Sequence, residues 1–241
     1  MEIELALPNP ALISIFRHPE QVITMDANFL IPPDRSRYTK RKFDLSFFQK
    51  RWLKPVFNVF PNLAIHESVY EELVLPSLQE LVDKLIHDIP QRLKIYRDLN
   101  LTADEKVLRD TIEQKIYPLT NYDPLLDNKD DRGEVKSLSY IAVKGLPYFA
   151  SHDFNAIQLI EKAEEWSTGL DNVQAIKMYE LIFYMYKTTS ANIDNLRMLY
   201  KYQYYLTSRE KETNPGWSTF LAALEALYPI LSLTSRSARS D

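Results

Sequence analysis

Apolar positions along the chain fall into two kinds of run. Short, nearly unbroken ones occur at EIELAL (2–7), VITMD (22–26), NLAIHE (62–67), LPYFAS (146–151) and NVQAIKM (172–178). Each has the length and composition of a strand. Between them lie longer segments with three-to-four-residue apolar spacing, the helical period. A small helix follows Asn9, a cap with Pro10 at the first helical position. LSFFQKRWLKPVF (45–57) reads as helix, with Pro55 expected to end it near Lys54. Residues 68–99 read as helix broken by Pro76 and Pro90. Residues 102–119 form an amphipathic helix capped by Thr102 with Glu105 three residues on. EVKSLSYIAVK (134–144) stops at Gly145. NAIQLIEKAEEW, YELIFYMYK, NIDNLRMLYKYQYYL and GWSTFLAALEALYPIL complete the helical set. No internal repeat is visible.

Strands that alternate with helices require parallel pairing and a sheet covered on both faces. The predicted class is α/β: a three-layer α/β/α arrangement with a central, mostly parallel sheet, helix-rich overall. The expected organisation is a domain over 1–187, carrying a helical insertion at 77–128. A helical extension, 188–241, packs on that domain or on a partner. In the extension, Leu196, Leu199 and Leu206 with Tyr200 and Tyr204 form an aromatic-aliphatic stripe suited to packing or to a dimer.

This order of elements places four acids at one edge of the sheet. Asp26 ends the first strand of the alternation. Glu72 lies a turn into the helix after the next strand. Glu134 opens a helix, and Asp153 follows the end of the next strand. All four belong to the C-terminal edge, where open α/β sheets place ligands. Each also has a simpler role as helix punctuation, because acids suit first helical turns. Ser68 to Glu71 has capping-box spacing, which assigns Glu71 to structure and leaves Glu72 free; Asp131 and Glu134 share that spacing, and Asp153 or Asn155 suits the next cap. Clustered carboxylates repel unless a cation joins them. All-oxygen ligation selects Mg²⁺ or Mn²⁺.

Composition removes the main competitors. There are no cysteines, so disulfides, thiol chemistry and cysteine-bound zinc are excluded. Four histidines are scattered without zinc-site spacing, and four glycines leave no phosphate loop. No apolar run reaches membrane-spanning length, and the N-terminus lacks a basic leader region, so a cytoplasmic protein without a membrane partner is expected. The net charge of −4 argues against polyanion binding over the whole surface.

In four pieces the chain resembles a PIN-domain nuclease, roughly from Val22 to Lys187. They are VITMDANFLI with Asp26 and Asn28, IHESVYEELV with Glu72, DRGEVKSLSYIAVKGLP with Glu134, and YFASHDFNAIQL with Ser151, His152 and Asp153. The resemblance implies a metal-dependent phosphodiesterase, an endoribonuclease foremost, in which these acids bind Mg²⁺ or Mn²⁺ and cleave RNA, less often DNA. It implies that Ser151 supports the site by hydrogen bonding and that Asn28 orients Asp26 or the substrate. A toxin paired with an antitoxin, or an RNA-processing role, follows from the same likeness. The long 77–128 stretch, Ser137 and Ser139 in the third piece, and the extension depart from the pattern.

The segment DRSRYTKRKFD (34–44) follows the Asp26 strand and supplies Arg35, Arg37, Lys40, Arg41 and Lys42 as candidate phosphate contacts. Lys136 is a further candidate, and Tyr38 could stack on a base. A solvated charge run is the plain alternative. Two other functional classes compete: an interaction module on the same fold, in which catalysis is unimportant, and a phosphatase or phosphotransferase for a small molecule.

Overall fold

The computed structural model describes residues 2–31, 34–38, 45–189 and 191–229. These fall into two compact units. One draws on Glu20–Pro32 and Pro61–Lys177, the other on Met1–Pro19, Pro33–Phe60 and Met178–Asp241.

The first unit contains the sheet. Its elements are β1 (Ile23–Met25), α1 (Ala27–Leu30), β2 (Leu63–His66), α2 (Glu67–Glu72), α3 (Pro76–His87), β3 (Leu93–Tyr96), α4 (Ala103–Ile116), α5 (Arg132–Val143), β4 (Tyr148–Ser151), α6 (Phe154–Glu161), α7 (Ala163–Trp166) and β5 (Gln174–Lys177). The five strands are parallel, in the order β3-β2-β1-β4-β5. The class is therefore α/β, helix-rich, with a central parallel sheet in a three-layer arrangement. Ile23 sits opposite Leu63 on one side and Tyr148 on the other. Every residue of β1, β2 and β4 is buried. That explains their unbroken apolar sequences, since a parallel strand in mid-sheet has no solvent face.

Four of the five expected strands are in this sheet. EIELAL forms no strand. Its backbone is engaged by side chains instead: Ile3 N–H donates to Asn214 Oδ1 (2.9 Å), and Tyr179 O–H donates to Glu4 O (3.2 Å). Residues 68–99 are not wholly helical, because α3 ends at His87 and LKIY forms β3. The 77–128 stretch thus contributes an edge strand, and Lys94 is exposed along it, a placement that discourages further strand addition.

Caps fix where the helices begin. Thr102 and Glu105 form the expected capping box on α4. Gly145 follows α5 at φ 62°, a conformation that costs glycine nothing. The Ser68–Glu71 box does not form. His66 caps α2 instead, through Nδ1 and Ser68 N–H, and Glu71 pairs with Arg132 at 2.7 Å.

The second unit is helical. Leu45–Phe48, a π-type turn at Gln49–Leu53, and Lys54–Val59 run on continuously, so Pro55 does not end the helix. The wider turn accommodates the missing N–H and the ring. Pro10–Arg17, Met178–Thr188, Ile193–Tyr204, Ser208–Thr213 and Trp217–Leu227 complete it. Its core is aromatic: the Tyr200 and Phe220 rings stack at 4.5 Å, and Tyr179 meets Tyr204 edge-on. Among the described residues no helix is long and apolar enough to cross a membrane.

Candidate active site

Strand order fixes where a ligand can sit. The chain runs from β1 outward through β2 to β3, then crosses back to place β4 and β5 on the other side of β1. At such a reversal open α/β sheets place a ligand crevice beyond the carboxyl ends of the strands, here those of β1 and β4. The β1–β4 ladder ends with Asp26 N–H donating to Ala150 O at 3.0 Å.

Asp26 is fully buried at that edge. Its Oδ1 caps α1 by accepting from Ala27 N–H at 2.6 Å. Its Oδ2 accepts from Ser151 Oγ at 2.7 Å and from the Asn28 amide. The Asn28 amide also donates to Ser151 Oγ (3.1 Å), and its Oδ1 accepts from His152 N–H (2.8 Å). Ser151 Oγ further accepts from Asp153 N–H (2.9 Å). The serine thus uses its one proton and both lone pairs. Asn28, Ser151 and Asp26 form one closed network joining β1 to β4.

Asp153 caps α6: its Oδ1 accepts from Asn155 N–H (2.7 Å) and Ala156 N–H (3.1 Å). Glu72 is the last residue of α2 and Glu134 the third of α5, two helices that pack together. Their approach depends on Gly133. A methyl there would overlap Glu72 Oε1 and stand 3.0 Å from Glu72 Cδ. Glu72 Oε1 is buried with no hydrogen-bond partner.

Electrostatics tie the four together. Burial pushes Asp26 up to about 7, the Ser151 hydrogen bond opposes it, and the charges of Glu72 and Asp153 add to it. Burial and Glu134 push Glu72 up to about 7. Burial, then Asp26, Asp153 and Asp131, push Glu134 up to about 9. Each acid therefore sits in the field of at least one other. The oxygens nonetheless stand off: no three of these acids bring one oxygen each within 4.8 Å of the others.

An all-oxygen donor set with a buried, unpartnered Glu72 oxygen fits Mg²⁺ or Mn²⁺. Asp26, Glu72, Glu134 and Asp153 would hold the ion.

Two of the proposed substrate contacts, Lys136 and Arg35, are held by other groups. Lys136 lies over the Tyr122 ring and 3.6 Å from Glu113 Oε1. Arg35 donates to the carbonyls of Tyr202 (2.6 Å) and Gln203 (2.8 Å) and pairs with Glu210, all within the helical unit. Arg37 is exposed in that same unit. Lys40, Arg41 and Lys42 lie outside the described residues.

A second polar cluster escaped the sequence reading, because His66 and Asp98 are 32 residues apart. His66 Nε2 lies 3.3 Å from Asp98 Oδ1, and Asp98 N–H donates to Glu67 Oε1 at 2.8 Å. Arg109 reaches Asp98 Oδ2 at 3.1 Å. Burial pushes the Asp98 carboxyl up, but the His66 hydrogen bond and the His66 and Arg109 charges hold it below its ordinary range. These bonds brace α2 against the Asp98 turn, and His66, Glu67 and Asp98 bring one donor atom each within 4.8 Å of one another. No family model matches this sequence, and searches against curated proteins and solved structures gave no match.

Proposed function

We propose that the chain is a metal-dependent nuclease, an endoribonuclease foremost, that uses Asp26, Glu72, Glu134 and Asp153 as an ion-binding carboxylate set. The supporting observation is the mutual elevation of Asp26, Glu72 and Glu134 at the β1–β4 crevice. Such an arrangement is costly for folding alone, because each buried charge opposes the next. Perturbed acids in a crevice are a mark of functional sites. The likeness of the four sequence pieces to PIN-domain nucleases points the same way.

When bound, Mg²⁺ or Mn²⁺ would supply counter-charge and polarise the oxygens of an in-line phosphoryl displacement. The chain's own groups do the positioning. Ser151 and Asn28 fix the Asp26 carboxylate in one rotamer, and the bond from Ser151 favours its ionised form. The α6 cap holds Asp153 through Oδ1. Gly133 lets Glu72 lie against the start of α5, beside Glu134.

The test is cleavage of single-stranded RNA and DNA in Mn²⁺, Mg²⁺ or EDTA, beside Asp26→Asn. Ion-dependent cleavage that disappears in the variant supports the reading. Cleavage that survives Asp26→Asn, or none in the wild type, overturns it.

A further inference from the structure

We propose that Lys129 is the cation that receives a backbone phosphate of a single-stranded nucleic acid at this site, an inference that rests on the nuclease reading above.

A carboxylate-lined crevice repels a polyanion, so a phosphate contact needs a positive group nearby that is not already neutralised. Arg132 is spent: it pairs with Glu71 at 2.7 Å and with Asp127 at 3.0 Å. Lys136 is spent on Glu113. Lys129 remains, exposed and without an ion pair among the described residues.

The loop that carries it is braced on both sides. Asn128 Oδ1 accepts from Asp123 N–H (2.6 Å), and Asn128 Nδ2 donates to Asn121 O (2.9 Å). Asp127 Oδ1 accepts from Tyr122 O–H (2.9 Å) and Arg132 Nε (3.0 Å). Asp131 Oδ2 accepts from both the backbone and the side chain of Asn121, each at 2.9 Å. Asp127 and Asp131 hold φ of 44° and 54°, unfavourable values for a non-glycine that these bonds sustain. The side chains at 127, 128, 131 and 132 are all bound, and those of Lys129 and Asp130 project. Four residues after Lys129 the chain reaches Gly133, against which the Glu72 carboxylate lies. The Arg132 charge and, to a smaller extent, the Lys129 charge favour the ionised form of Glu72. A lysine suits the role, being a compact charge on a flexible stem.

Steady-state cleavage in Mn²⁺ of a single-stranded oligouridylate about ten nucleotides long, across a salt series, tests this. Lys129→Ala should raise KM about fivefold with kcat nearly unchanged, lower the magnitude of the log–log salt slope of kcat/KM by about 0.7, and leave the melting temperature as it was. Lys129→Arg should restore both readouts. If the wild type cleaves and Lys129→Ala keeps its KM and slope, or loses kcat alone, the phosphate role is overturned while the nuclease reading stands. If the wild type does not cleave, both fall.

Discussion

Ser151 Oγ donates to Asp26 Oδ2 at 2.7 Å, bridging residues 125 positions apart. This bond crosses from the end of β4 to the end of β1, the place where strand order reverses. It gives the buried carboxylate a partner that opposes its own desolvation. Removing it should therefore act on stability and chemistry together.

Ser151→Ala strips Asp26 of one donor and leaves Asp153 N–H without an acceptor, while the Asn28 amide keeps its bond to Asp26. The expected cost is about 1–3 kcal/mol. Asp26 should also rise above about 7, so the acid limb of the pH–rate profile should move to higher pH. Urea melts and pH–rate profiles check the two effects, and an unmoved acid limb would count against the role of this bond.

Gly133→Ala separates site from scaffold. Alanine favours a helix over glycine by up to about 1 kcal/mol, but its methyl would overlap Glu72 Oε1. The end of a flexible side chain can swing aside, so the fold should persist with a near-normal melting temperature. Ion-dependent cleavage should fall by about tenfold or more, by analogy with other changes that misplace a ligand. Full activity in a well-folded variant would show that Glu72 need not lie there.

Stability of the ion-free protein should fall as pH rises. An unfolded chain releases carboxyl protons near pH 4. In the fold, Asp26 and Glu72 hold theirs to about 7 and Glu134 to about 9. Between those limits the folded state binds more protons, so its stability is fullest below the unfolded values and is lost as pH climbs through the folded ones. Melts in EDTA across this window check the sign, and a flat or rising profile contradicts it.

Much of the site was legible in the sequence because β1 and β4 are buried on both faces. That burial forces continuous apolar runs, and a run ending in an acid is easy to see. β3 was hidden because an edge strand of four residues, LKIY, leaves only a brief alternation behind a proline-broken helix. EIELAL misled because a short apolar run becomes a strand only when a neighbouring strand exists to pair with it. Charge posed the harder problem. Sequence shows where Arg35 and Lys136 stand, but not that carbonyls and Glu113 already hold them. Conversely, Lys129 sits in DNKDDRG, whose acids mask it until Asp127 and Asp131 are seen to be bound elsewhere.

The most direct test is calorimetric titration of Mn²⁺ into the wild-type protein and into Asp26→Asn and Glu134→Gln, with melting temperatures on the same samples. Binding that saturates, stabilises the wild type and vanishes in both variants is the predicted result. Absence of binding, or equal binding in all three proteins, would contradict a shared ion site among these carboxylates.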